Sequence, residues 1–182
     1  MIEDSRIFVD VMESIVESVR VEYAKLPVSN DADEPYYLYG HYQSIADELI
    51  EKSLVPATRD KKYPLILLGI DSEYSETDIN WQQYKVNCNL WIIYETKTWW
   101  ATSQRYDNVF KTVLYPLYKL MIQEIFNSNY INNEVHDVLP VLEPIPYWGT
   151  QTVQGSDKKI INDPLDAIKF KLNGLLVNKI QC

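Results

Sequence analysis

The sequence predicts an α+β fold: a small, mainly antiparallel sheet packed against a long amphipathic helix, with N-terminal helices and two long projecting loops. Three observations carry that expectation. Lys62-Tyr63-Pro64-Leu65-Ile66-Leu67-Leu68-Gly69-Ile70 is a short apolar run, the pattern of a strand covered on both faces. Residues 83–95 alternate strictly, with Tyr84, Val86, Cys88, Leu90, Ile92 and Tyr94 on one face and Lys85, Asn87 and Asn89 on the other. Over residues 103–126, Tyr106, Val109, Phe110, Val113, Leu117, Leu120, Met121 and Ile125 line one side of a helix.

The remaining elements follow in order. From residue 5 to about 26, Phe8, Val11, Met12, Ile15, Val19 and Tyr23 recur at helical three-and-four spacing, and Asp4 or Ser5 can cap the first free amides. Residues 27–35 are a polar break, because Asn30-Asp31-Ala32-Asp33 favours a turn. A second helix is predicted over 42–53, with Ile45, Leu49 and Tyr42 inward, and Pro56 follows its end. The stretch 71–82 is too long and polar for a tight hairpin turn and is expected to project from the sheet. Thr102 or Ser103 is the expected cap of the long helix, and Pro116 removes a donor mid-pattern and predicts a kink. Pro140, Pro144 and Pro146 confine 138–147 to an edge strand or extended arm. Residues 150–164 form a second polar excursion. In the closing strand Ile168, Phe170 and Leu172 alternate with Lys169, Lys171 and Asn173, and Gly174 marks a bulge or bend. One domain, 1–182, results: an acidic helical part over 1–60 and a sheet-plus-helix core over 61–182.

At 182 residues the chain can bury one sizeable core, and 46 % hydrophobic with 24 % charged residues argues against disorder. Fourteen Tyr and five Trp are the unusual figures, since large amphipathic rings are enriched where protein meets protein. The net charge is −9. Residues 1–60 hold thirteen acidic against five basic side chains, so the charge is concentrated there. Tight nucleic-acid binding is not expected of such a chain, because affinity for phosphates comes from Lys and Arg. Cys88 reads as a buried small hydrophobe and Cys182 as a mobile terminus, too few for a disulfide framework. The Met-Ile-Glu-Asp-Ser-Arg start is charged rather than signal-like, and no run approaches the roughly 20 apolar residues of a membrane span. A soluble chain made in the cytoplasm is expected.

Chemistry-bearing patterns are sparse. The five glycines never cluster into a phosphate loop, and neither Gly-x-Ser-x-Gly nor His-Glu-x-x-His occurs. His41 sits at a helix start, the place of a cap. His136, between Glu134 and Asp137, is a possible metal corner or solvated surface. Asp71-Ser72-Glu73-Tyr74-Ser75-Glu76-Thr77-Asp78 holds four carboxylates, but without the glycine of a calcium loop it reads first as a solvated, protruding segment. Trp81, Trp91, Trp99 and Trp100 bracket the second strand; core or subunit contact is a commoner use of such rings than sugar stacking. Neither an enzyme nor a cofactor is expected.

Taken together, these blocks resemble the tail-terminator-like neck and tail-completion proteins of tailed bacteriophages. The resemblance rests on the N-terminal helix, the Tyr63-Pro64-Leu65-Ile66-Leu67-Leu68 strand, a long loop and the alternating strand 84–94. It continues in the helix with Arg105-Tyr106-Asp107-Asn108-Val109-Phe110 and Leu114-Tyr115-Pro116-Leu117-Tyr118, and in the closing Asp166-Ala167-Ile168-Lys169-Phe170-Lys171-Leu172. It covers most of the chain as an order of elements. Tyr39-Gly40-His41 to Pro64 also looks like small virion-associated proteins of phages infecting Bacteroidetes-type hosts. The resemblance implies a structural virion protein with no active site, made in the host cytoplasm and assembled into a head–tail connector. It would form a homo-oligomeric ring of six or twelve copies at the neck or tail, touching portal, neck or tail proteins. DNA would pass its channel without specific binding, and no membrane is involved. Asp71, Glu73, Tyr74, Trp81, Trp99, Trp100, Tyr147 and Trp148 are the residues expected at interfaces, Trp99 and Trp100 in the link between strand and helix and the others on or beside the two excursions. The helix 42–53 and the Pro-rich 138–147 depart from the simplest family pattern, which leaves terminator and adaptor both open. Two alternatives stand beside it. A carbohydrate- or protein-binding module would use the Trp and Tyr side chains. A metal-dependent enzyme would need Asp71, Glu73, Asp78 and His136 to converge from distant loops.

Overall fold

A computed structural model describes residues 2–26, 34–55, 61–69, 73–76, 83–132, 140–148 and 163–178. Helix α1 (Ile2–Tyr23) is followed by strand β1 (Tyr36–Gly40), helix α2 (Tyr42–Leu54) and strands β2 (Leu65–Gly69), β3 (Glu73–Glu76) and β4 (Gln83–Glu95). The long helical segment then runs through α3 (Thr102–Arg105), a π-helical stretch (Tyr106–Leu114) and α4 (Tyr115–Asn127). Strands β5 (Ile131–Asn132), β6 (Val141–Trp148) and β7 (Leu165–Asn178) complete the order.

The spine of the seven-stranded sheet is the antiparallel pair β4–β7, in register from Gln83 opposite Asn178 to Glu95 opposite Leu165. At about 3.3 Å per residue this pair is about 40 Å long. Each of the two strands therefore has room for two partners on its other edge. β4 pairs with β2 through residues 90–93 and with β3 through 84–87, and β7 pairs with β6 through 165–171 and with β5 through 176–177. β1 lies parallel to β2 at the far edge. Parallel neighbours need a crossover, and α2 is that crossover.

Both faces of the sheet carry a core. On one side α1 and the long helical segment cover Val86, Cys88, Leu90, Ile92, Ile168, Phe170 and Leu172. On the other, Ile45, Ala46 and Leu49 of α2 pack on Leu38, Leu65, Leu67 and Ile93, with Trp148 and Ala167 beside them. The alternating strand is thus placed as its pattern predicts, and Cys88 is buried.

Five sequence expectations change. The middle of the loop 71–82 is strand β3, paired with the start of β4, so it does not simply project. β1 lies immediately after the polar break, where no strand was expected. Asp4 and Ser5 fall inside a helix that already begins at Ile2. The long helix is not merely kinked at Pro116: the nine residues before Tyr115 form a π-helix, and Tyr115 N–H bonds to the carbonyl of Phe110, five residues back. Its cap is Ala101, whose N–H bonds to the Gln104 side chain at 3.0 Å, rather than Thr102 or Ser103. The bulge at Gly174 is present. The β4–β7 register shifts between Val86 and Cys88, Gly174 takes φ +76°, and its N–H donates to Asn87 Oδ1 at 2.8 Å.

Candidate functional site

The densest polar construction among the described residues lies where β6 ends, β7 begins and β4 turns into the long helix. Asp166 shares its strand parity with Ile168, Phe170 and Leu172, and so faces the helical core with none of its surface exposed. A carboxylate there must be answered, and Arg105, at the last position of α3, is equally enclosed and donates from Nη1 to Asp166 Oδ1. The Arg105 Nη2 also reaches the carbonyl of Lys97 at 3.4 Å. Tyr147 stacks its ring 3.6 Å from the guanidinium carbon and donates its backbone N–H to Asp166 Oδ1 at 3.0 Å. That contact holds Tyr147 at φ 58°, a conformation few tyrosines adopt.

A second ionic knot lies three residues upstream. Lys62, almost wholly buried, bonds to Asp163 and, at 2.8 Å, to Ser53 Oγ. The Tyr63 hydroxyl donates to the same Asp163 oxygen at 3.1 Å. Burial, reinforced by the Asp163 charge, pushes the Tyr63 phenol well above its ordinary pKa. Thr96 N–H closes the corner onto the carbonyl of Pro164 at 2.8 Å. Trp148 stands opposite Leu165 in the β6–β7 ladder, so the chain leaves the sheet and returns to it at adjacent positions. The base of the 149–162 excursion is therefore clamped on both sides.

Four of the residues expected at interfaces gather here. Trp99 is 76 % exposed and Tyr147 is exposed, while Trp100 is half-buried against the core below the long helix. Lys97 joins them, its ammonium 5.8 Å from the Trp99 ring and 5.1 Å from the Trp100 ring. Trp148 is 7 % exposed and belongs to the core under α2, so its ring anchors the subunit itself rather than offering a surface. Glu73 and Tyr74 lie on β3, at the opposite end of β4. Asp71, Asp78, Trp81 and His136 are outside the described residues. Among the described strands, β3 and β5 lie on the outer edges of β4 and β7, three strand spacings or about 14 Å apart.

The charged pair was not among the expected site residues, though the sequence carries its signal. Asp166 and Arg105 each interrupt an apolar stripe at a core position, and two such interruptions of opposite sign call for each other. The corner's two carboxylates, Asp163 and Asp166, are each bound to a cation, and their contacts tie the chain segments of the corner together. Among the described residues no group of three or more His, Cys, Asp or Glu is placed to hold a metal ion, and no helix is long and apolar enough to cross a membrane.

Two surface concavities are lined by described residues. One, about 690 Å³, runs along α2 and is lined by Ser44, Asp47, Glu48, Glu51, Lys52 and Val55. The other, about 450 Å³, lies between Leu26 and the Tyr115-Pro116 turn of the long helix. Neither contains histidine or cysteine. Compared with known protein families and with proteins of curated function, the chain matches none.

Proposed function

We propose that the protein is a structural subunit of a homo-oligomeric ring in the neck or tail of a tailed phage, a tail terminator or head–tail adaptor around the DNA channel. The observation that carries this reading is the clamped base of the 149–162 excursion. Two buried ionic knots and a buried tryptophan fix where it departs, an investment that suits a segment used for contact with another subunit. The other excursion flanks β3 at the far end of the β4–β7 spine, about 40 Å away. A subunit with contact segments at both poles can touch neighbours within a ring and rings above or below it. The −9 charge is compatible with a lumen past which DNA slides.

The prolines of β6 narrow the kind of contact. Within the ladder Pro144 stands opposite Ile168 and lacks the N–H that would point to the outer edge, and Pro146 lies in the register shift between Ile145 and Trp148. Strand addition at β6, one of the ways an edge could join subunits, is disfavoured by this arrangement. Contacts through side chains and excursions fit better.

The exposed Trp99 keeps a binding-module reading in view. Light scattering over a concentration series, with negative-stain imaging, separates the two. Rings of six or twelve copies are the expected result. A strict monomer at every concentration would sink the ring reading in its self-assembling form and favour the binding module.

A further inference from the structure

Helix α2 carries two stripes. Ile45, Ala46 and Leu49 face the sheet and are buried. Asp47, Ile50, Glu51 and Leu54 recur at three-and-four spacing on the opposite side and are exposed, Leu54 to 78 %. Two aliphatic side chains alternating with two carboxylates make a second amphipathic surface, one that burial against the subunit's own sheet does not require.

The same side of the sheet offers its complement. α2 covers that side over β1, β2 and the adjoining ends of β4 and β7. Beyond it, Trp91 stands opposite Lys169, and Lys171 stands opposite both Asn89 and Val141, which places all of them on one face. Val141 is 64 % exposed, Lys171 is exposed, and Lys169 lies half-buried with its ammonium 5.1 Å from the Trp91 ring. Lys85 lies further along the same face of β4, and Glu143, opposite Lys169, is the acidic counterweight. In a chain of net charge −9, this is a row of two lysines on β7, flanked by Trp91 on β4 and Val141 on β6.

We propose that α2 of one copy docks on this open half of a second copy's sheet, a head-to-tail contact that supplies the ring of the preceding section and rests on that reading. Charge complementarity identifies the occupant. Asp47 and Glu51, one helical turn apart, are separated by about 6 Å along the helix axis. Lys169 and Lys171 are separated by about 6.6 Å along their strand. With those pairs facing, Ile50 and Leu54, both on one side of the carboxylate stripe, lie over one flank of the lysine row, where Trp91 offers the larger apolar surface. The donor and acceptor surfaces are different parts of the subunit, so the contact is heterologous, and such contacts generate rings when the rotation closes.

Two full-length variants test it: D47K/E51K and K169E/K171E. Asp47, Glu51 and Lys171 are exposed and Lys169 is half-buried, so circular dichroism should match the wild type and both variants should still melt cooperatively, K169E/K171E at a somewhat lower temperature. In sedimentation velocity at low salt, each variant alone should self-associate at least about tenfold more weakly. An equimolar mixture should recover assembly, because the reversed helix then meets the reversed sheet face while the native surfaces meet each other. Both variants assembling like the wild type would overturn this contact and leave the ring reading on another surface. Loss in both without recovery in the mixture would also overturn the pairing. A wild type that stays monomeric throughout would overturn contact and ring together.

Discussion

Asp166 and Arg105 show what a buried ion pair is for. Removing two ions from water costs several kcal/mol each, and their attraction repays this only with good geometry and every remaining polar atom satisfied. Here Arg105 Nε and Asp166 Oδ2 have no hydrogen-bond partner among the described residues. The pair therefore contributes direction more than stability: only one arrangement brings the helix start, the end of β6 and the start of β7 onto a single carboxylate. Arg105→Met leaves that carboxylate uncompensated and should lower the unfolding free energy by about 3–5 kcal/mol in urea titration. The double replacement R105M/D166L removes both charges and should recover most of the loss. A double variant as unstable as the single one would mean that the hydrogen bond to Tyr147, rather than charge burial, governs the corner.

The long helical segment was legible as a helix but not as a π-helix, although the cause is written in its spacing. Val109, Val113, Leu117, Met121 and Ile125 are all buried at intervals of four. Four residues of an ideal α-helix advance about 400°, so such a stripe drifts about 40° per step and would leave the sheet within a few turns. A stretch bonded five residues back has wider turns and returns the stripe to the sheet. It ends beside Pro116, whose missing N–H and bulky ring already forbid a regular turn. β4 and β7 were readable because alternation is a local signal. β1 was not, because Tyr36-Tyr37-Leu38-Tyr39-Gly40 is short and its partner Leu65–Gly69 lies beyond a helix. β3 was hidden by its charges, which an edge strand tolerates. The bulge was visible as a glycine and is testable as one. Gly174→Ala forces φ +76° on a residue with a Cβ, which would also lie 2.9 Å from the movable end of Lys85. The side chain can yield, but the backbone cannot, so a loss of about 1–2 kcal/mol is expected in urea unfolding. A neutral result would show that the register shift relaxes without the left-handed residue.

At the scale of the molecule, the order of the main helices and of β2, β4 and β7 was readable and the placement of the excursions was not, since that depends on the register of β4 against β7. With Trp148 opposite Leu165, the 149–162 segment bridges neighbouring strand positions, and folding does not require its length. Replacing residues 149–162 by a short Gly/Asn linker of about four residues keeps Trp148, Asp163 and Asp166 in their contacts. Loop closure scales only with the logarithm of length, so the stability of the subunit should rise by no more than about 1 kcal/mol. If the excursion reaches a neighbour, the shortened protein should be folded, equally cooperative in urea, and monomeric where the wild type forms rings. Loss of assembly with an intact transition separates the segment's intersubunit role from any part in folding. Rings of normal size from the shortened chain would remove the excursion from the interface, leaving α2 and the sheet face around Lys169 and Lys171 to carry assembly. An unfolded product would instead place the segment within the subunit's own core, against the clamped-arm reading.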